Sequence, residues 1–270
     1  MKISIVGLGW FGKPLAQKLS ANHSVAGTKS TREGVEQWDM NCVSVHYLNL
    51  NAHPDHDSLK PIFEVDTMVI NIPPSASKSK DSPSYLDHMK WMLIGAQKFG
   101  VGHIVFISST GIFGDHQHEV DEDTKPEPTG GNGEVLFKAE NFLADTFAER
   151  LTIIRPGGLV GGDRHPAKYL AGRSQVSGKN HPVNMVHRDD LIALTEFLIE
   201  NKTTRNCFHA VASNHPSKKE FYTKSAEKMG LKNPQFDETD KSRGKLILGE
   251  KTQAETVGFV FNDPFAMVEL

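Results

Sequence analysis

Cysteine is scarce in this 270-residue chain: Cys42 and Cys207 stand alone in unrelated segments. Two cysteines cannot build a disulfide framework, so a reducing, cytoplasmic setting is expected. Long apolar runs are also lacking. No stretch approaches the roughly 18 apolar residues of a membrane span. The apolar start, Ile3–Val6, is too short for a signal peptide. Neither charge sign prevails, because 30 Lys and Arg face 33 Asp and Glu for a formal net charge of -3. Without a basic run carrying interleaved aromatics, nucleic acid and membrane surfaces are not expected partners. No internal repeat or low-complexity tract occurs. The 13 histidines are scattered. His53 and His56 share a polar loop, but two ligands without a third make no metal site, and they read as surface histidines.

What is present is an alternation of short β-rich runs with helical patterns, the mark of a parallel α/β sheet. Strands are expected at Ile3–Val6, Val25–Thr28, Val43–Tyr47, Asp66–Ile72, His103–Ser108, Thr152–Arg155 and Cys207–Val211. Helices are expected from Gly12 to Ser20, with Pro14 tolerated in the first turn, and from a Thr31 cap to about Met40. A long helix opens at Pro83 and stops at Gly100, and others run over Gly133–Phe147, Asp189–Glu200 and from Ser217 to Met229. Right-handed crossovers make this a doubly wound parallel Rossmann sheet of about seven strands. Residues 1–161 and 186–212 are assigned to that domain. Residues 162–185 and 213–270 break the rhythm and are assigned to a smaller C-terminal substrate lobe. Residues 115–133, polar and rich in Pro and Gly, read as a loop.

Gly7-Leu-Gly9-Trp-Phe-Gly12 lies between the first strand and the first helix. In that place Gly7 permits a tight turn, Gly9 lets backbone approach a pyrophosphate, and Gly12 allows close helix–strand contact. The helix N-terminus then faces the negative charge. A dinucleotide, NADP or NAD, is the expected cofactor. Trp10 and Phe11 pack, with their backbone near phosphate. An NAD site usually carries an acidic residue about 20 positions on. Here the second strand ends in Thr28, Lys29 and Ser30, with Arg32 following and no acid before Glu33. These groups suit a 2′-phosphate, so NADP is preferred over NAD. A solvated helix start also accounts for them.

Later motifs carry a family resemblance. Val105-Phe-Ile-Ser-Ser-Thr-Gly-Ile-Phe-Gly114, Val120-Asp-Glu-Asp-Thr-Lys-Pro126, Arg155-Pro-Gly-Gly-Leu-Val-Gly161 and Val186-His-Arg-Asp-Asp-Leu191 follow one another in order. Together with Gly244-Lys-Leu through Val257-Gly-Phe they resemble the extended short-chain dehydrogenase/reductases, the nucleotide-sugar epimerase/dehydratase group. The resemblance implies an active-site Ser or Thr at Ser109 and the Lys of a Tyr-x-x-x-Lys motif at Lys138. Glu134 falls on the Tyr position. It also implies cofactor contacts from Ser108, from Lys138 and, after the fourth strand, from Asn71, Pro73 and Pro74. The glycine turn departs from the family's Gly-x-x-Gly-x-x-Gly, which marks an atypical branch.

Each of these residues has a plainer reading as well. Glu134 and Lys138 are four apart, in the favourable order for a helix salt bridge. Asp189 and Asp190 suit a helix cap. Arg164, Lys168 and Arg173, with His187, are the candidate substrate residues and suit an anionic small molecule, as a nucleotide sugar would be; a solvated loop accounts for the first three equally. The leading expectation is an NAD(P)-dependent oxidoreductase or epimerase/dehydratase-like protein with Glu in place of Tyr. A non-catalytic NAD(P)-binding sensor is the alternative. The first 30 residues also look like a β-hydroxyacid dehydrogenase, but the Gly-x-x-Gly-x-x-Lys helix of those enzymes is not found.

Overall fold

Ile3–Val6 carries no polar alternation beyond Ser4, which suits a strand covered on both faces. In the computed structural model, which describes residues 1–74, 84–203 and 207–268, Lys2–Val6 forms β1 and everything after Lys2 in it is buried. The chain continues through α1 (Gly12–Leu19), β2 (Ser24–Lys29), α2 (Arg32–Glu36), β3 (Val43–Tyr47), α3 (Lys60–Phe63), β4 (Thr67–Ile70), α4 (Tyr85–Lys98) and β5 (His103–Ile107). Then follow β6 (Glu119–Val120), α5 (Gly131–Phe147), β7 (Leu151–Pro156), β8 (Gly158–Val160), α6 (Ala167–Leu170), β9 (Met185–His187) and α7 (Arg188–Asn201). The last elements are β10 (Cys207–Ala210), α8 (Lys218–Lys228), β11 (Leu246–Ile247) and α9 (Glu250–Glu255).

Seven strands form one sheet in the order β10-β7-β5-β4-β1-β2-β3. The registered pairs from β3 across to β7 are all parallel. The order reverses between β1 and β4, which is the switch point of a doubly wound sheet. The expected seven-stranded Rossmann-type sheet is therefore the one found. β5 sits inside it, buried at every residue. Even His103 is buried there, its Nε2 2.8 Å from Thr152 Oγ1, and burial pushes its pKa down to about 4.

By contacts the chain divides into two units. The first comprises Met1–Ser109, Gly130–Ile154 and Thr195–Cys207; the second comprises Thr110–Thr129, Arg155–Leu194 and Phe208–Leu270. In the first unit α1 turns Leu15, Ala16 and Leu19 inward. The cap of α4 is Ser84, whose hydroxyl accepts from Asp87 N while Asp87 returns a bond to Ser84 N. Pro83, the expected opening residue, lies outside the described residues. Gly100 ends the helix with φ of +72°, a left-handed position that favours glycine. His56 is half-buried rather than a surface residue: it stacks on Trp91 at 4.5 Å and donates to the Trp91 carbonyl at 2.8 Å.

The second unit carries two small parallel pairs, β8 with β9 and β6 with β11. β6 lies in the stretch read from sequence as loop. Val160, Val183, Met185, Phe221 and Met267 pack into its core, and Ser217 caps α8 by accepting from Glu220 N. Among the described residues no helix is long and apolar enough to cross a membrane, and no group of His, Cys, Asp or Glu is placed to hold a metal ion.

Candidate functional site

The site begins where β1 ends. Gly7 has φ of +107°, and a Cβ there would overlap the Asn71 carbonyl. At Gly12 a Cβ would overlap the Gly7 carbonyl. Both glycines are thus required by close backbone approach. Gly9 differs: nothing lies within 4 Å of its missing Cβ. The space above Gly9 is open, as the passage of a ligand backbone would need.

Two side chains brace this turn. Thr28, at the end of β2 and only 4% exposed, accepts from Gly7 N at 3.1 Å. Asn71, just past β4, donates from Nδ2 to the Gly7 carbonyl at 3.1 Å, while its own N donates to Val6 O at 2.9 Å. Three strand ends are tied together by these bonds, and a cavity of about 640 Å³ opens over them. Its lining includes Gly7, Gly9, Thr28, Lys29, Ser30, Asn71 and Pro73. It also includes residues not picked out from sequence: Leu48, Asn49, Leu50 and Asn51 after β3, Gly34 on α2, and His88 on α4.

His88 is buried, and its Nε2 donates to Asn51 Oδ1 at 3.1 Å. Burial and the neighbouring His53 lower its pKa, against the opposite pull of Asp87. In the sequence, nothing local sets His88 apart from the other residues of this helix. The Asn49–Asn51 segment had a weak signal, two amides directly after a strand at the end where such sheets bind ligands.

Arg32 lines a second cavity of about 460 Å³ with Tyr47, Asn49 and Leu59. Its guanidinium lies 4.8 Å from the centre of the Tyr47 ring. Phe11 and Gly12 are buried in the turn, and Trp10 and Pro74 are half-buried; none of the four lines the larger cavity.

No protein-family model matches the chain. Protein YeeZ of Escherichia coli K12 is 34% identical over 271 residues, covering 99% of this chain and 98% of that protein. The chain belongs to the YeeZ family. Its fold matches a putative NAD-dependent epimerase/dehydratase from Methylobacillus flagellatus, with a TM-score of 0.78, 23% identity and coverage of 98% and 95% of the two chains. WbmH of Bordetella bronchiseptica, solved with NAD+, gives a TM-score of 0.76 at 18% identity over 99% and 95%. UDP-glucose 4-epimerase from Thermotoga maritima gives 0.80 at 15% over 99% and 97%. The YeeZ-family chain therefore has the fold of the epimerase/dehydratase group to which the sequence motifs pointed.

The candidate catalytic residues of this YeeZ-family chain lie in the first unit. Ser108, past the end of β5, is buried, and its hydroxyl has no partner among the described residues. Ser109 is half-buried. On α5, Lys138 Nζ donates to Glu134 Oε1 at 2.6 Å, with the side chains 57% and 48% exposed respectively. The hydrogen bond from Lys138, then its charge, lowers the Glu134 pKa.

The candidate substrate residues lie in the second unit. Arg164, Lys168 and Arg173 are exposed around α6. His187 is buried, its ring 4.0 Å from Phe261, and its Nδ1 accepts from Asp189 N at 3.3 Å. Asp190, read from sequence as a helix cap, accepts from Val260 N at 2.9 Å and Phe261 N at 3.0 Å. It thereby holds the segment that covers His187.

Proposed function

We propose that this YeeZ-family chain binds a nicotinamide dinucleotide over the ends of β1, β2 and β4, preferring NADP to NAD. The observation that carries the reading is the turn at Gly7–Gly12. It joins open space above Gly9 to the N-terminus of α1, where backbone N–H groups and the helix dipole favour a pyrophosphate. The residues present fit that group. The cavity is of dinucleotide-binding scale, its floor is glycine, and Lys29 and Ser30 stand where an NAD site would place a carboxylate. Arg32 beside them supports the NADP preference. A bound nicotinamide exchanges hydride with a substrate carbon; the chain's part is to orient it and the substrate.

The same reading assigns cofactor binding to the first unit and an anionic small-molecule substrate to Arg164, Lys168, Arg173 and His187. Glu134 stands at the position that family resemblance gives to Tyr. Its lowered pKa leaves it without a proton to donate at pH 7, so it serves as a base and not as a general acid. Little turnover with simple ketones is expected. A sensor without turnover is the second reading. It is supported by the same pair, because Lys138 is engaged by Glu134 instead of a tyrosine.

Thermal-shift titration tests the cofactor reading, since a ligand that binds only the folded state raises its melting temperature. A larger shift with NADP than with NAD is expected. No shift with either at millimolar concentration would overturn the dinucleotide site. Turnover assays on wild type and Glu134→Gln separate enzyme from sensor: activity lost with Gln supports the base, and tight NADP binding with no turnover in either supports the sensor.

A further inference from the structure

Two cations flank the dinucleotide pocket without a carboxylate partner. Lys29, the last residue of β2, lines the pocket, and Arg32, the first of α2, lines the cavity beside it. Among the described residues neither side chain makes an ion pair, although Glu33 and Glu36 are neighbours in sequence; Glu33 bonds Gln37 instead. Each cation lies over an aromatic ring. Lys29 Nζ is 5.4 Å from the centre of the Trp38 indole, and the Arg32 guanidinium is 4.8 Å from that of Tyr47. The indole is itself anchored, since Trp38 Nε1 donates to the Met40 carbonyl at 3.0 Å. A third cation, Lys13, sits 5.3 Å from the same ring but bonds Asp39 at 2.7 Å.

The difference between ring and carboxylate matters. A carboxylate orders a cation by cancelling its charge, and an incoming anion must then displace it. A ring attracts the cation through its quadrupole and orders it while leaving the positive charge whole. Ordering also removes part of the rotamer entropy that long side chains otherwise lose when a ligand binds. Rings beneath cations therefore prepare a site for an anion.

We propose that Trp38 and Tyr47 are positioning residues that set the choice of dinucleotide. Their rings hold Lys29 and Arg32 ordered and uncompensated to receive the 2′-phosphate of an adenosine ribose. This rests on the dinucleotide reading above and deepens it. NAD has a hydroxyl in place of that phosphate, so the rings contribute little to its binding.

The test measures Kd for NADPH and NADH by isothermal titration on the full chain, with 2′,5′-ADP and 5′-AMP as fragments. Trp38→Leu and Tyr47→Leu should each weaken NADPH and 2′,5′-ADP about fivefold. NADH and 5′-AMP should change less than about twofold. Trp38→Phe and Tyr47→Phe keep a ring and should retain the preference. In a Lys29→Met background, Trp38→Leu should have no further effect on NADPH, because the cation it positions is gone. Should Trp38→Leu fail to fold, Trp38→Gln is the second variant, with the same expected loss. Equal weakening of both dinucleotides, unchanged NADPH affinity, or a full Trp38 effect in the Lys29→Met background would overturn the positioning role. Wild type binding neither dinucleotide would overturn the cofactor reading and this inference with it; NADH bound as tightly as NADPH would overturn the NADP preference and this inference, and leave the dinucleotide site standing. A wild-type preference that survives every ring variant would overturn this inference alone.

Discussion

The end of β2 and the helix α5 each present a lysine, and they treat it in opposite ways. Lys138 is met by Glu134 at 2.6 Å on an exposed helix face. Lys29 rests on the Trp38 ring, and Arg32 on Tyr47 nearby. The α5 pair is electrically closed: its carboxylate is held in the charged form by the ammonium beside it. The β2 end is electrically open. An anion approaching α5 must compete with a carboxylate already there, whereas one approaching β2 meets whole positive charge above a glycine floor. The proposed reading rests on this contrast: anion recognition at β2, and a poor proton donor at α5.

The largest expected effect comes from closing the floor under the open site. Gly12→Val would drive side-chain atoms into the Gly7 carbonyl. Dinucleotide binding should fall more than about a hundredfold, with a stability loss of about 1–3 kcal/mol by urea titration. Binding near the wild-type value would break the assignment of the pyrophosphate to this turn. Next, Arg32→Ala should weaken NADPH about thirtyfold, the worth of charge-assisted bonds to a phosphate. NADH should change little, and the same comparison by isothermal titration should show a shallower salt dependence of NADPH binding. Equal losses would mean that the β2 end is not reading a phosphate.

Acid sharpens the comparison from another side. His88 borders the open site, and its pKa is depressed chiefly by burial. A depressed folded pKa means that the unfolded chain takes the proton first. The stability that neutral His88 contributes is complete above the ordinary pKa of about 6.5 and is lost as pH falls through the lower folded value. Glu134 is shifted down from an ordinary 4.5, so its pair with Lys138 should persist until pH falls below that. Acidification from pH 7 should therefore begin to cost stability at His88 before it opens the α5 pair. Urea titrations at pH 7 and pH 5 would check this, and a loss of stability as large in His88→Gln as in wild type would refute it. The smallest effect is expected at α5 itself. Glu134→Gln should move the melting temperature by no more than about a degree, as for other exposed helix pairs. A larger change would show the pair to be more than a surface contact.

Much of this was legible in the residues. The seven strands of the main sheet, the glycine turn and the Thr31 cap follow from apolar runs, glycine spacing and a capping residue. Thr31 Oγ1 does accept from Gly34 N, at 3.1 Å. The helix after it was expected to reach Met40 but stops at Glu36. The chain turns there because Trp38 N bonds back to Val35 O and the indole donates forward to Met40 O. That turn is what carries the indole to Lys29. Similarly, His88 and Asn51 lie 37 positions apart, and only packing joins them. The short strands β8 and β9 escaped notice because three-residue runs carry too little periodicity to read.

Sequence by itself determined the local events: which runs are apolar enough to be strands inside a sheet, where glycine is the sole residue that the backbone can accept, and which helix pairs its own charges four residues apart. These depend on neighbours a turn or a strand away. Only the tertiary structure decided which charges remain uncompensated. Lys29 and Lys138 look alike in the chain, since Glu33 is four positions from Lys29 and Glu134 is four positions from Lys138. What sets them apart is that β2, α2 and β3 bring the Trp38 and Tyr47 rings beneath the cations at one site, while helical spacing brings a carboxylate at the other. Charge compensation is a property of distance in space, and that distance exists only once the chain has folded.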